Sequence, residues 1–182
     1  FTDTTSWHLA TMIWNGSLVT YYIDGISVGT DVATTYGTAP AWSVGSLGAS
    51  QHWDGKIDEM RLYNRTLTQG EIKMLYNSNL NYGVNLSDPN LISYWDLDDN
   101  ANGIVDNVGG NDGTATGTNN ATGISSGALR FDGVDDYIDV GFVSPNISVS
   151  YSIWAYPTDA SSNKGIIVSD ASWSDCIQLY AI

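Results

Sequence analysis

The side chains best suited to chemistry in this chain are carboxylates and amide oxygens gathered in two glycine-rich stretches. "DLDDNANGIVDNVGGNDGT" carries Asp98, Asp99, Asp106, Asn111 and Asp112, and "FDGVDDYID" carries Asp132, Asp135 and Asp136. Calcium takes roughly six to eight oxygen ligands, and carboxylates, carbonyls and water around flexible loops supply them. The spacing is not that of an EF-hand. The expectation is a calcium ion drawing on Asp98, Asp106, Asn111, Asp112, Asp132 and Asp135, with Asp106, Asp112 and Asp132 foremost. The competing reading is that Asp-Gly and Asn-Gly pairs simply make turns.

Nucleophilic chemistry has less to work with. His8 and His52 are the two imidazoles, and neither stands in a G-x-S-x-G elbow, an H-E-x-x-H pair or a zinc-ligand spacing. His8 reads as a sheet residue at a strand start, and His52 as a loop residue. The single Cys176 makes no internal disulfide and reads as a small apolar residue of a strand. Aromatic side chains offer a third chemistry, the stacking of sugar rings. Trp7, Trp14, Trp95 and Trp154 sit inside strand patterns and are expected in the core. Trp53 in "SQHWDG" and Trp173 in "ASWSD" lie in polar loops and are the candidates for ligand stacking.

Charge narrows the partners. Lys and Arg total 6 against 20 Asp and Glu, for a formal net charge of -14. Nucleic acid needs clustered cations, and here they are scattered singly, so it is excluded as a partner together with anionic membrane surfaces. No run has the length of a membrane-spanning helix or the pattern of a signal peptide. Glu stands only at 59 and 71, so the acid is nearly all Asp, a poor helix former that favours turns.

The elements that must position these residues are therefore strands. Runs from Leu9 to Trp14 and Leu18 to Ile23 are separated by Asn15-Gly16, and Asp24-Gly25 marks a second hairpin turn. "WDGKIDEMRLYNRTLTQGEIKMLY" closes with the one helix: Thr68 and Glu71 form a capping box, with Ile72, Leu75 and Tyr76 on one face. Residues 77–90 have no clean period and read as a linker. A second block follows, with "LISYWDLDD", "GALRFDGVDDYIDVG" and "SVSYSIWAYP" as further antiparallel strands. Asn15, Asn64, Asn85, Asn120 and Asn146 each open an N-x-S/T triplet, a glycosylation acceptor where the machinery exists.

"YWDLDD", "GGNDGT", "ALRFDGVDDYIDV" and "SIWAYP" resemble the successive landmarks of the first half of a laminin G-like, concanavalin A-like jelly roll. "WHLATMIWNGSLVTYYIDGISVG" and "GKIDEMRLYNRTLTQGEIKMLY" resemble its second half and are similar to the matching part of pentraxins. The resemblance implies an all-β, antiparallel two-sheet jelly-roll sandwich with one short helix. The halves stand in reversed order: 1–76 matches the C-terminal half, 77–90 is the linker, and 91–182 matches the N-terminal half. Three arrangements fit: a segment of tandem repeats, a circular permutant, or half-domains completed by neighbouring copies. Neither half buries its sheet face alone, so each needs a partner half. The last is preferred within a tandem or polymeric assembly, because the resemblance implies about a strand pair more after Ile182 and before Trp7.

Relatives in the resembled family include glucanases, whose retaining chemistry needs two Glu around an Asp. Lys56 and Arg61 stand in those two positions of "KIDEMR", so that chemistry is absent. Asp58, Glu59 and Arg61 read instead as an ion-pair cluster beside the helix. The expectation is a non-enzymatic extracellular or cell-surface protein, structural or adhesive, with neighbouring copies of itself as partner. The alternative is a calcium-assisted carbohydrate-binding module with glycans as ligands.

Overall fold

A computed structural model describes residues 3–32, 42–47, 51–78, 85–101, 103–141, 148–159, 164–168 and 176–179. Trp173 and Asn146 lie outside the described residues, as do 79–84 of the linker. The first block gives β1 (His8–Trp14), β2 (Leu18–Ile23), β3 (Ile26–Val32), β4 (Ser43–Val44), β5 (Ser46–Leu47), β6 (Gln51–His52), β7 (Asp54–Tyr63) and α1 (Gln69–Asn77). The second gives β8 (Leu91–Trp95), β9 (Thr114–Thr116), β10 (Asn119–Thr122), β11 (Gly127–Asp132), β12 (Tyr137–Asp139), β13 (Val149–Pro157), β14 (Lys164–Val168) and β15 (Cys176–Leu179).

Local chemistry accounts for the turns. Asp24 and Gly25 both have positive φ, 52° and 77°, the conformation a two-residue hairpin requires if its twist is to match its strands. The Asp24 side chain locks the same turn by accepting from the Leu9 N–H at 2.9 Å, and lies 2.7 Å from His8 Nδ1, so His8 is the sheet residue expected. The α1 capping box is reciprocal: Glu71 N–H donates to Thr68 Oγ1 at 3.3 Å, and Thr68 N–H donates to the Glu71 carboxylate at 2.7 Å. Turn residues close the linker too, where Asp88 accepts from the Asn90 N–H at 2.9 Å and from Arg65 at 3.2 Å.

The strands form two main sheets. An eight-stranded sheet runs β10-β11-β7-β13-β1-β2-β3 with β8 also on β7, and a five-stranded one runs β15-β14-β4-β12-β9. Between them lie Met12, Trp14, Ile57, Met60, Leu62, Trp95, Leu129, Phe131, Tyr151 and Ile153 from the large sheet, and Val44, Ile138 and Ile166 from the small one. Trp53 is in this core as well, which corrects its reading as an exposed stacking ring. On the outer face of the large sheet, α1 covers Ile13, Tyr63, Leu67 and Leu91 with Ile72. This is the antiparallel jelly-roll sandwich expected.

The two halves interleave. β13 of the second half lies between β1 and β7 of the first, and β11 and β8 share the other edge of β7. In the small sheet β4 sits between β12 and β14. The completion expected from a neighbouring copy is thus made within the chain: each half buries its apolar face against the other half. The physical reason is that each half exposes the strand edges the other lacks, and both edges are present in one chain.

Candidate functional site

The long acidic loop is wired to its own backbone. Asp106, buried, accepts through one oxygen from the N–H groups of Tyr94, Val108 and Gly109 at 2.9, 3.0 and 3.0 Å, and through the other from Asn111 N at 3.0 Å and Asn111 Nδ2 at 3.2 Å. Burial pushes its pKa up, but the N–H groups of Gly109, Tyr94 and Val108 outweigh it and hold the carboxyl below its ordinary value. Asp112 accepts from the Asp106 N–H at 2.9 Å, and Asp98 from the Gly127 N–H at 2.8 Å. Asn111 donates to Ser93 at 2.9 Å, and its carbonyl accepts from the Trp95 indole at 2.9 Å. Asp98, Asp106, Asn111 and Asp112 therefore brace the loop against β8 and β11. Asp106 already accepts five N–H bonds, which leaves its oxygens little capacity for a cation. Asp98 and Asp112 each accept one, and among the described residues neither is brought into an acidic group that could hold a metal ion.

Asp132 and Asp135 fare differently. With Asp136 they form the acidic group among the described residues that could hold a metal ion, their ligand oxygens all lying within 4.8 Å of one another. Asp132 and Asp135 are exposed, whereas Asp136 is buried and accepts from the Asp132 N–H at 2.9 Å. Burial, then the charges of Asp132 and Asp135, push the Asp136 carboxyl above its ordinary pKa, while that N–H bond and nearby His52 pull it down. An all-oxygen set with excess negative charge suits a hard cation such as calcium. Gly117 packs closely against this group, since a Cβ there would lie 1.8 Å from Asp136 Oδ1. Asp136 was visible in the sequence beside Asp135, but nothing local distinguishes a carboxylate turned into a cluster from one turned out.

The glucanase-like positions lie on β7. A bulge interrupts the strand where Glu59 has φ 54° and the pairing with β13 skips from Ser152 to Trp154. It lets Ile57 and Met60 both face the core. Arg61 pairs with Glu59, Tyr94 Oη donates to Glu59 at 3.0 Å, and the Arg61 guanidinium lies 5.3 Å from the Tyr94 ring centre. The expected ion pair is therefore present, but Asp58 is not part of it. Fully buried, Asp58 accepts from the Ile124 and Ser125 N–H groups at 2.8 and 3.3 Å, plugging the gap between β11 and β8.

Trp14, Trp95 and Trp154 are buried as expected, but Trp7 is only half-buried, which corrects its assignment to the core. It meets Tyr156 edge to face at 5.7 Å, with Lys56 Nζ 5.2 Å from its ring centre and 4.5 Å from that of Tyr156. His52, expected in a loop, belongs to the short strand β6. Asn15, Asn85 and Asn120 are exposed, and Asn64 is half-buried.

Residues 2–73 match the laminin G family model described as the concanavalin A-like lectin/glucanases superfamily. That stretch is similar to the laminin G family, and its strands alternate with those of the second block in both sheets of the jelly-roll sandwich. No curated protein and no solved structure matches the chain. No helix among the described residues is long and apolar enough to cross a membrane.

Proposed function

We propose that this chain is a non-enzymatic, extracellular adhesive module that holds carbohydrate with the help of calcium. The observation that carries the reading is the convergence of Asp132, Asp135 and Asp136 within 4.8 Å. A divalent cation there would relieve the repulsion among the three carboxylates and present open coordination positions to sugar hydroxyls. A non-enzymatic role agrees with Lys56 and Arg61 in place of the two Glu that glycoside hydrolysis needs.

Calcium titrated calorimetrically into metal-stripped protein is expected to bind one ion, with Asp132→Asn and Asp135→Asn each weakening it about tenfold or more. A flat titration at millimolar calcium refutes the calcium part. A glycan array with and without calcium tests the ligand.

A second reading, a structural repeat that pairs with neighbouring copies, draws support from β3. This edge strand of the large sheet is exposed along its whole length, with Ile26, Val28 and Val32 each at least 60% exposed. Discrete single-domain particles in electron microscopy of the native material would count against it.

A further inference from the structure

We propose that a buried polar seam on the outer face of the large sheet, formed by Thr11, Ser152 and Arg61, holds ordered water, one molecule in each of the two strand gaps it crosses. Neither calcium nor carbohydrate enters into it.

The seam follows from register. Thr11 of β1 lies directly opposite Ser152 of β13, and Ser152 lies directly opposite Arg61 of β7. Their sequence neighbours Ala10 and Met12, Tyr151 and Ile153, and Met60 and Leu62 belong to the core between the sheets, so the three residues point to the other face. An aromatic ring closes each end of the row, Tyr22 opposite Thr11 and Tyr94 opposite Arg61. Two positions along the same strands, Ile13 and Tyr63 pack with Ile72 of α1, and in the other direction Trp154 stacks on Tyr76 of α1 with ring centres 5.8 Å apart. Contacts of α1 thus flank the seam on both sides, and the helix spans it.

Burial without pairing sets these residues apart. Thr11 is 2% exposed, Ser152 0% and Arg61 8%, yet Thr11 Oγ1, Ser152 Oγ and Arg61 Nε have no hydrogen-bond partner among the described residues. Ser150, on the same strand and face, shows the chain satisfying such a group itself: its hydroxyl accepts from the Leu67 N–H at 2.9 Å and donates to the Arg65 carbonyl at 2.8 Å. A buried hydroxyl or N–H left unpaired costs the desolvation of that group, and native chains seldom carry three side by side.

Geometry and charge select water as the partner. Neighbouring strands lie roughly 4.8 Å apart, a span that two hydrogen bonds of about 2.8 Å close through one water oxygen. The charge of Arg61 is already answered, since Nη1 donates to the Glu59 carbonyl at 3.1 Å and Nη2 pairs with the Glu59 carboxylate, so the seam needs no anion. What is left is one N–H donor and two hydroxyls that each donate and accept, a set that buried water serves in both directions. Between β7 and β13, water accepts from Arg61 Nε and donates to Ser152 Oγ. Between β13 and β1, a second water accepts from Ser152 Oγ and donates to Thr11 Oγ1.

The test joins a high-resolution crystal structure of the intact chain to urea unfolding of two variants. Density for one water in each gap is expected, within about 3.2 Å of the atoms named. A dry gap between either pair of strands overturns the proposal, whatever the variants do. Thr11→Val and Ser152→Ala remove a hydroxyl with little change of shape. With water in the seam, each is expected to lower the folding equilibrium constant about fivefold, and the double variant to lower it by clearly less than the product of the two, because they share one water. In a dry seam, deleting an unpaired hydroxyl removes a desolvation cost instead. A single variant that leaves the constant unchanged or raises it therefore overturns the proposal, as does a double variant whose effect equals the product.

Discussion

Replacing Asp58 by Asn should stabilise the protein in mildly alkaline solution and leave it nearly unchanged in mild acid. Burial is the main cause, with the charges of Glu59 and Asp98 adding to it, and the N–H bonds from Ser125 and Ile124 only partly offset these; the carboxyl is raised from 3.8 to about 7. The sign follows from proton counts. Between those two values the folded chain keeps a proton the unfolded chain has released, so stability is greatest at low pH and falls as pH rises, by ~1.4 kcal/mol per pH unit. Across the window the loss is about 4 kcal/mol. An Asn at 58 keeps an oxygen acceptor for Ile124 and Ser125 and has no charge to bury. The variant and the parent should therefore differ little near about pH 4.5 and by roughly 2–4 kcal/mol in favour of the variant near about pH 8. Urea unfolding across a pH series measures both curves. Parallel curves, or a variant less stable at the alkaline end, would refute the assignment of a buried, destabilised carboxylate at this junction.

Three further outcomes are expected. Asp106→Asn should cost roughly 2–4 kcal/mol in chemical denaturation, because an amide has one acceptor oxygen where five N–H contacts now converge. In the parent the contribution of Asp106, whose pKa is held low, should fade as pH falls below the ordinary carboxylate range. Gly45→Ala should cost roughly 2–4 kcal/mol, since φ is 84° and the new methyl would meet the Phe131 ring at 2.3 Å, whereas Gly29→Ala on exposed β3, with nothing within 4 Å, should be nearly neutral in thermal melts. Thr68→Ala should lower stability by about 1 kcal/mol through loss of the α1 cap, and a change well under half of that would mean the helix is held by packing alone.

Sequence by itself determined the local structure here. The hairpin turns at Asn15-Gly16 and Asp24-Gly25, the Thr68–Glu71 cap and the alternation along β13 are legible because each depends on residues a few positions apart. Tertiary structure alone decided what the halves and the acids do. That β13 slots between β1 and β7 depends on pairing between residues as far apart in the chain as His8 and Ala155, which no local pattern encodes. Whether an Asp folds back on backbone N–H groups, as Asp106 does, or joins a cluster, as Asp136 does, is set by which strands flank its loop. Trp7 and Trp53 exchanged their expected places for the same reason: a strand-like context does not reveal a sheet's open face, and a polar loop can carry its one large ring into the core. The Lys56–Arg130 pair exists only through the register of β7 on β11, so it could not be read from either strand alone.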